Sequence, residues 1–328
     1  MSGCSMGSAI PEPQPLGATP TSAGPQPAPA RPATKLALAA HTCWTGELLG
    51  EDPQLALKLA GTFGITYFDA AYALQDRPAF RTRRSCSQDH GVEVYRLVRA
   101  SDLATPVTDY GALMRTQTLD FSQLSAEVSA ACMDKALATA ARQSGVAGAS
   151  LQPAAPAGVH LGWSPATVEQ WNRGQRVFAC TLTQDDPGPL RYAALRSSSL
   201  PTQQRTCIAS GSRIFVDCAR AHDRERIAVL DVTGAASAGT FPGRGAVRRT
   251  ARGSYLDVDP AFYRPLDRAC TAYLRSVSTD RRLVGVAEID VRSWPDARGV
   301  YAISCEADAP ATEPSKVTRG SVYNRLGG

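Results

Sequence analysis

Two short segments of the sequence place a cysteine, a histidine and a glutamate at the same spacing, Cys-x3-His-x2-Glu. Their residues are Cys86, His90, Glu93 and Cys218, His222, Glu225. A histidine can act as a general base that a glutamate orients, so either segment could support hydrolysis. The alternative is structural, with both side chains holding the loop after the cysteine through hydrogen bonds. The duplication favours this structural tie, because every copy of a module needs its ties whereas an active site usually degenerates in one copy.

The same segments could also contribute ligands to a zinc ion, which binds Cys and His side chains in a tetrahedral arrangement. In the second segment the ligands would be Cys218, His222, Cys270 and Cys305. The spacing argues against such a site, because structural zinc sites bring their cysteines in close C-x2-C pairs and this chain has none. An exported hydrolase or zinc-dependent enzyme that uses these segments is therefore the alternative hypothesis.

The rest of the sequence carries no common catalytic signature. It contains no H-E-x-x-H segment, nucleophile elbow, phosphate-binding glycine loop or dinucleotide-binding fingerprint. His41 and His160 have no partner nearby in the sequence, and we expect both at the surface. We therefore predict a protein that is not an enzyme, with no catalytic residue, no cofactor and no metal.

Nine cysteines are spread along the 328 residues. Apart from Cys4, they are Cys43, Cys86, Cys132, Cys180, Cys207, Cys218, Cys270 and Cys305. An even number of widely spaced cysteines is typical of disulfides formed in an oxidising compartment, so we predict disulfides. Within each half, four cysteines allow three pairings, and the spacing does not choose among them. The competing hypothesis is a cytoplasmic protein with free thiols.

The first residues are similar to the end of a bacterial lipoprotein signal. Ser2-Gly3-Cys4 fits the small-residue box before an acylated cysteine, so we predict lipidation at Cys4. The charged and apolar part of such a signal does not precede it, and we expect the natural start to lie upstream of Met1. Residues 6–34 carry eight prolines, which fix φ and remove backbone donors. That composition predicts a disordered, extended tether. The sequence has no run of 18 apolar residues, so it does not predict a membrane-spanning helix.

The two segments belong to a longer internal repeat. After each glutamate an alternating apolar run predicts a β-strand, at 92–98 in the first copy and 227–232 in the second. A helical segment with one cysteine on its apolar face follows in each copy. The residues at its four-residue steps are Leu124, Val128, Cys132, Ala136 and Phe262, Leu266, Cys270, Leu274. Asp259-Pro260 is a helix-start signal, although Pro265 could delay the regular helix.

Each copy closes with a tryptophan, a glycine and a predicted strand that ends in cysteine. The residues are Trp171, Gly174, Cys180 and Trp294, Gly299, Cys305. Four types of landmark thus occur twice in the same order, which indicates a duplication.

This order of landmarks resembles the septum formation-related domain of actinobacterial envelope proteins, over nearly everything from Cys43 to Cys305. Members of that family have a Cys-x-x-x-His-x-x-Glu-Val segment, a Phe-Pro or Tyr-Pro turn, a helix cysteine and a Trp-x-x-Gly-x-Arg…Cys strand. Phe241-Pro242 matches the turn, and Arg176 matches the arginine of the closing strand. Asp89 and Ala221 stand where the family commonly has proline, and copy two lacks the arginine after its glycine.

The resemblance implies a location in the cell envelope more than it implies an activity. Together with the order along the chain it also implies the disulfides Cys43–Cys86, Cys132–Cys180, Cys207–Cys218 and Cys270–Cys305.

The charge of the chain is mildly basic, at +5, and lacks the concentrated basic stripe of a nucleic-acid-binding protein. Arginines cluster in the second copy, at Arg213, Arg220, Arg224, Arg226, Arg244, Arg248, Arg249 and Arg252. Outside the membrane, such a cluster could contact anionic wall polymers or lipid headgroups. The simpler interpretation is a solvated basic face.

Together these patterns predict an α+β fold of two tandem, small, disulfide-stapled modules behind a disordered Pro-rich N-terminal stalk. The predicted parts are the start and tether at 1–35, the modules at 36–190 and 191–312, and a disordered tail at 313–328. We expect a non-enzymatic, extracytoplasmic protein, lipid-anchored or secreted, that binds or scaffolds at the cell surface in connection with septum formation. Its expected partners are the membrane, through the lipid anchor, and an anionic wall polymer or envelope proteins, with no nucleic acid.

Overall fold

A computed structural model describes residues 37–209, 214–251, 253–296, 299–308 and 320–324. Cys4 and the Pro-rich tether lie outside these ranges, as do Arg213 and Arg252 of the arginine cluster.

Short runs of helices and antiparallel strands follow one another along the described residues. The strands are β1 (Thr42–Trp44), β2 (Arg83–Arg84), β3 (His90–Arg99), β4 (Ser150–Pro153), β5 (Val159–Pro165), β6 (Val177–Gly188), β7 (Thr206–Ile208), β8 (Phe215–Asp217), β9 (Arg224–Asp231), β10 (Val247–Thr250), β11 (Gly253–Leu256), β12 (Val284–Glu288) and β13 (Ala302–Asp308). The α-helices are α1 (Pro53–Phe63), α2 (Tyr67–Leu74), α3 (Leu119–Cys132), α4 (Lys135–Gln143), α5 (Val168–Asn172), α6 (Thr233–Ser237) and α7 (Tyr263–Val277). The predicted mixture of helix and sheet is confirmed. None of the described helices is both long and apolar enough to cross a membrane.

The first sheet has the strand order β2-β1-β3-β6-β5, and its neighbouring strands are all antiparallel. The predicted strand at 92–98 lies within β3, where every residue from His90 to Tyr95 is buried. Trp44, Phe178 and Leu124 belong to one hydrophobic core with α1, α2 and α3.

The second sheet has the order β8-β7-β9-β13-β12, also antiparallel. Strands β1, β2, β3, β5 and β6 of the first sheet therefore correspond in order to β7, β8, β9, β12 and β13. The helix α7 covers this sheet with Leu266, Cys270 and Leu274, all fully buried. Asp259 caps a single 3-10 turn at Pro260–Phe262, and α7 starts directly after it, so Pro265 falls in the first turn of the helix, where its missing N–H costs nothing.

Residues 135–153 lie between elements of the first half in sequence but pack against the second sheet. Strand β4 pairs with Ala228–Asp231 of β9, beside β7, which pairs with the other end of the same strand. Helix α4 begins after Asp134, whose side chain accepts the N–H of Leu137, and buries its apolar face against α7. The sequence predicts these residues within the first module, but they pack in the hydrophobic core of the second sheet. The helix predicted through Ala136 in fact ends at Cys132, and Ala136 lies in the first turn of α4.

The chain returns to the second sheet at residues 320–324, within the tail that was predicted to be disordered. Ser321, Val322 and Tyr323 are buried, and Tyr323 lies in the core of the second sheet. The prediction of a disordered tail is wrong for this stretch, because Glu225 and the carbonyl of Ile227 supply hydrogen-bond partners for it.

Candidate functional site

The eight cysteines of the described residues form four disulfides, in the same pairs that the resemblance implies. They are Cys43–Cys86, Cys132–Cys180, Cys207–Cys218 and Cys270–Cys305, with Cα atoms 5.0 to 5.6 Å apart. In each half, one bond closes the loop before the central strand and the other joins the covering helix to the strand beside the central one. The sulfurs are therefore bonded structural groups and offer no thiolate.

The two histidines of the repeated segments are held in the same way. Nδ1 of His90 lies 2.8 Å from the carbonyl oxygen of Gln88, and Nδ1 of His222 lies 2.8 Å from that of Arg220. Since a carbonyl oxygen only accepts, each Nδ1–H donates to it. Both rings are almost completely buried. Nε2 of His90 has no hydrogen-bond partner among the described residues. Because this atom is buried, it is not accessible to a substrate.

The two glutamates are buried too, and each binds the start of a short helical turn that is remote in sequence. Oε1 of Glu93 accepts Nε–H of Arg191 at 2.9 Å, and Oε2 accepts the N–H of Tyr192 at 2.6 Å. Tyr192 also stacks on Tyr95 of β3, with ring centroids 3.8 Å apart. The carboxylate thus neutralises the unpaired donors at the first turn of the helical segment Tyr192–Arg196.

Glu225 makes the equivalent contacts in the second half. Its Oε1 accepts the hydroxyl of Ser321 at 2.8 Å, and its Oε2 accepts the N–H of Val322 at 2.7 Å, at the start of the turn Val322–Asn324. Each glutamate therefore forms hydrogen bonds with the segment that follows the last strand of its sheet. This geometry favours the structural tie over the general base.

The zinc site considered from the sequence is not assembled by the described residues. Cys270 and Cys305 bond to each other, away from the second segment. Cys207, Cys218 and His222 do come together, with their ligand atoms within 4.8 Å of one another. The two sulfurs are joined in a disulfide, however, and metal ligation requires thiolates.

The two tryptophans of the closing landmarks are core residues, each 3% exposed. Trp171 packs edge-on against Phe178. Nε1 of Trp294 donates to the carbonyl of Pro242 at 3.0 Å, so the tryptophan contacts the Phe-Pro turn directly. His41 and His160 lie at the surface as predicted, and His160 lies 3.1 Å from Asp185.

Several arginines of the predicted cluster face inward or are neutralised. Arg224 pairs with the buried Glu306 at 2.7 Å, and burial lowers the pKa of Arg226, which also faces Glu306. Arg220 and Arg248 pair with nearby aspartates, whereas Arg244 and Arg249 are exposed and have no ion pair in the described part of the chain. The cluster therefore does not form one continuous basic face.

A different pair of arginines lines an open cavity of about 650 Å³ at the end of β3, which we name the basic cavity. Arg99 and Arg176 lie on its wall with the apolar side chains of Leu103 and Val107 and the turn at Gly174. Both arginines are exposed, and neither has an ion pair among the described residues. Only Arg176 and Gly174 stood out in the sequence, as part of the closing landmark. Guanidinium groups without carboxylate partners suit a phosphate or carboxylate ligand.

The corresponding end of β9 carries a second cavity, of about 300 Å³, which we name the hydroxyl cavity. Arg99 and Asp231 each lie nine residues after the histidine of their segment, so the two cavities occupy matching positions in the two sheets. Asp231 lines the hydroxyl cavity with Ser125 and Ser129 of α3, Ser150 of β4 and Tyr72 of α2. Burial raises the pKa of Asp231, and the hydrogen bond from the N–H of Thr233 at 2.8 Å partly opposes that rise.

No protein-family model, curated protein or solved structure matches this chain. The resemblance to the septum formation-related domain therefore depends on the order and spacing of the landmarks alone.

Proposed function

We propose that the protein is a non-enzymatic, extracytoplasmic component of the cell envelope that binds an anionic surface polymer through the basic cavity. The observation that carries this proposal is the fate of the two Cys-x3-His-x2-Glu segments. Their histidines and glutamates hydrogen-bond to the protein's own backbone and side chains, and their cysteines form disulfides. The chemically active residue types are thus used to hold the fold, and the open charged surface is left for binding.

The compartment is supported by the four disulfides. Bonds of this kind persist in oxidising surroundings and are rare in the cytosol. Together with the lipoprotein-like start at Cys4, they favour an anchored or secreted protein. The link to septum formation belongs to the same proposal and comes from the landmark resemblance. The matching strand orders of the two sheets support two tandem modules of one origin.

Mass spectrometry of the natively isolated protein, alkylated with and without prior reduction, tests the compartment. We expect no alkylation of the eight paired cysteines until reductant is added, and an acylated Cys4. Eight alkylated cysteines without reductant would refute the extracytoplasmic assignment.

Binding of the purified chain to inorganic polyphosphate and to polygalacturonate tests the basic cavity and separates phosphate from carboxylate ligands. The double substitution R99E/R176E should weaken binding by at least about tenfold, since two cationic contacts become repulsive. The matched control R244E/R249E makes the same charge change at two other exposed arginines and should weaken it much less. Equal losses in both variants would indicate non-specific charge attraction and contradict the proposal.

The alternative, an exported hydrolase or zinc enzyme, makes a different prediction for His222→Ala. A structural tie predicts lower stability and no change in metal content. Loss of bound zinc or of turnover in a variant of unchanged stability would favour the enzyme.

A further inference from the structure

The hydroxyl cavity is lined by three serine hydroxyls for which the described part of the fold provides no partner. Among the described residues, none hydrogen-bonds to the hydroxyl of Ser125, Ser129 or Ser150. Ser150 is only 2% exposed, yet it lines the cavity. Its hydroxyl oxygen is not among the enclosed, unpartnered polar atoms of the described residues, so it opens onto the cavity and can bond to a molecule there.

The charge of the cavity selects the class of that molecule. Asp231 supplies carboxylate oxygens that accept hydrogen bonds, while the serine hydroxyls both donate and accept. No basic residue lines the cavity in the described part of the chain. An anion would meet the carboxylate without a compensating cation, so the lining suits a neutral molecule with several hydroxyl groups.

An exposed aromatic surface continues from the cavity. Phe68 and Tyr72 lie four residues apart on one face of α2, and we name them the aromatic ledge. Phe68 is 81% exposed and Tyr72 is 55% exposed, and both line a neighbouring cavity of about 480 Å³. Tyr72 lines the hydroxyl cavity as well, so the two surfaces are continuous. Large aromatic side chains left in water next to polar groups mark binding surfaces.

We infer that the hydroxyl cavity and the aromatic ledge bind a neutral glycan chain, with one sugar ring in the cavity and the next on the ledge. A sugar ring carries hydroxyls around its rim and apolar C–H groups on its faces, which match the serine–aspartate lining and the aromatic rings respectively. A cavity of about 300 Å³ has the volume of a small ligand site. The inference rests on the proposed envelope function for the source of the glycan, which would be the cell wall.

Saturation-transfer NMR on the full oxidised chain tests this inference with three neutral tetrasaccharides, cellotetraose, mannotetraose and chitotetraose. We expect saturation of the ring protons of at least one of them. That tetrasaccharide should bind about tenfold more tightly than its monosaccharide, because only the longer ligand reaches the ledge. Equal affinities would contradict binding across both surfaces.

Two variants locate the site. Tyr72→Ala removes the shared ring, and the double variant S125A/S129A removes two hydroxyls while improving helix propensity in α3, so the fold should survive. Each should weaken binding about tenfold. Tyr255→Ala is the matched control, because Tyr255 is a half-exposed tyrosine on the hairpin of β10 and β11, away from the cavity. Its binding should equal that of the wild type.

The inference fails if folded wild-type protein shows no saturation of any of the three tetrasaccharides, or if both variants bind as the wild type does. Self-association that Phe68→Ala abolishes, without sugar binding, would assign the ledge to a second copy of the chain and overturn it. These outcomes are distinct from those at the basic cavity, because the polyphosphate test uses an anionic ligand and different residues.

Discussion

At the scale of single residues, the buried glutamates show how a catalytic-looking motif can serve the fold. The sequence predicts that each glutamate holds the loop after its cysteine, but the partners of both glutamates lie elsewhere. Glu93 binds residues 98 and 99 positions later in the chain, and Glu225 binds residues 96 and 97 positions later. Spacing within a segment reports local contacts, so these remote partners could not be predicted from the motif.

Substitution of Glu225 tests the tie. Glu225→Ala leaves the buried hydroxyl of Ser321 and the N–H of Val322 without an acceptor. Because hydrogen bonds to a charged group are worth about 1.5–3 kcal/mol each, we expect the free energy of unfolding to fall by about 3 kcal/mol or more. Urea denaturation measures this.

The control for that prediction is Glu169→Ala, which removes a partly exposed glutamate of α5 that pairs with Arg173 at the end of the helix. Its effect should stay within about 0.5 kcal/mol, as for other exposed helix pairs. Equal effects of the two substitutions would mean that the buried contacts of Glu225 contribute little.

The raised pKa of Asp231 predicts a pH dependence. Burial disfavours the charged carboxylate in the folded protein, so this group lowers stability as the pH rises through its folded-state pKa. Asn keeps the oxygen that accepts the N–H of Thr233 but carries no charge. Asp231→Asn should therefore gain stability relative to the wild type at neutral pH, and the gain should shrink toward about pH 4. A difference that does not change with pH, measured by urea denaturation at several pH values, would contradict this.

At the scale of elements, the periodic patterns predicted the central strands and the cysteine-bearing helices, but not where α4 packs. Amphipathic spacing indicates that a helix has an apolar face and does not indicate which core that face covers. The landmarks that occur twice also do not predict α1 and α2, which lie between Cys43 and Cys86. Cys207 and Cys218 lie only 11 residues apart, so the loop between them is too short for two such helices, and the described residues of the second half show no counterpart. Helix α2 supplies the aromatic ledge.

The disulfides allow a test of loop length as a source of stability. Cys132–Cys180 spans 48 residues and Cys207–Cys218 spans 11. Chain entropy assigns about 4 kcal/mol to the longer loop and about 3 kcal/mol to the shorter. We expect the double variant C132A/C180A to lose about 1 kcal/mol more in urea unfolding than C207A/C218A. All four sulfurs are buried, so packing losses are similar and each variant is the other's control. An equal or reversed order would show that enthalpic effects dominate.

At the scale of the whole molecule, a sequence pattern determines neither the surface charge of the fold nor the core in which an element packs. Arg224 belongs to an apparent basic cluster, yet its partner Glu306 lies 82 residues later, on the neighbouring strand. Charge clusters in sequence therefore do not report the surface charge of the fold. The boundary at residue 190 also fails to separate the two cores. Helix α4 and strand β4 precede it in sequence but pack in the core of the second sheet.

This shared core predicts that residues 191–328 do not fold alone. Without α4 and β4, the edge of β9 at Ala228–Asp231 loses its hydrogen-bonded neighbour. The second core also loses the side chains of Leu137 and Leu151, which are both almost completely buried. Truncating one large buried side chain already costs about 2–5 kcal/mol, and two such losses approach the whole stability of a domain. We expect no cooperative urea transition for 191–328, and a restored one when 134–154 is fused to it through a long Gly/Ser linker. The same fusion with Leu137→Asp and Leu151→Asp should stay unfolded, since its linker is identical and only the packing is lost. A cooperative transition in 191–328 by itself would show that the second sheet needs neither element.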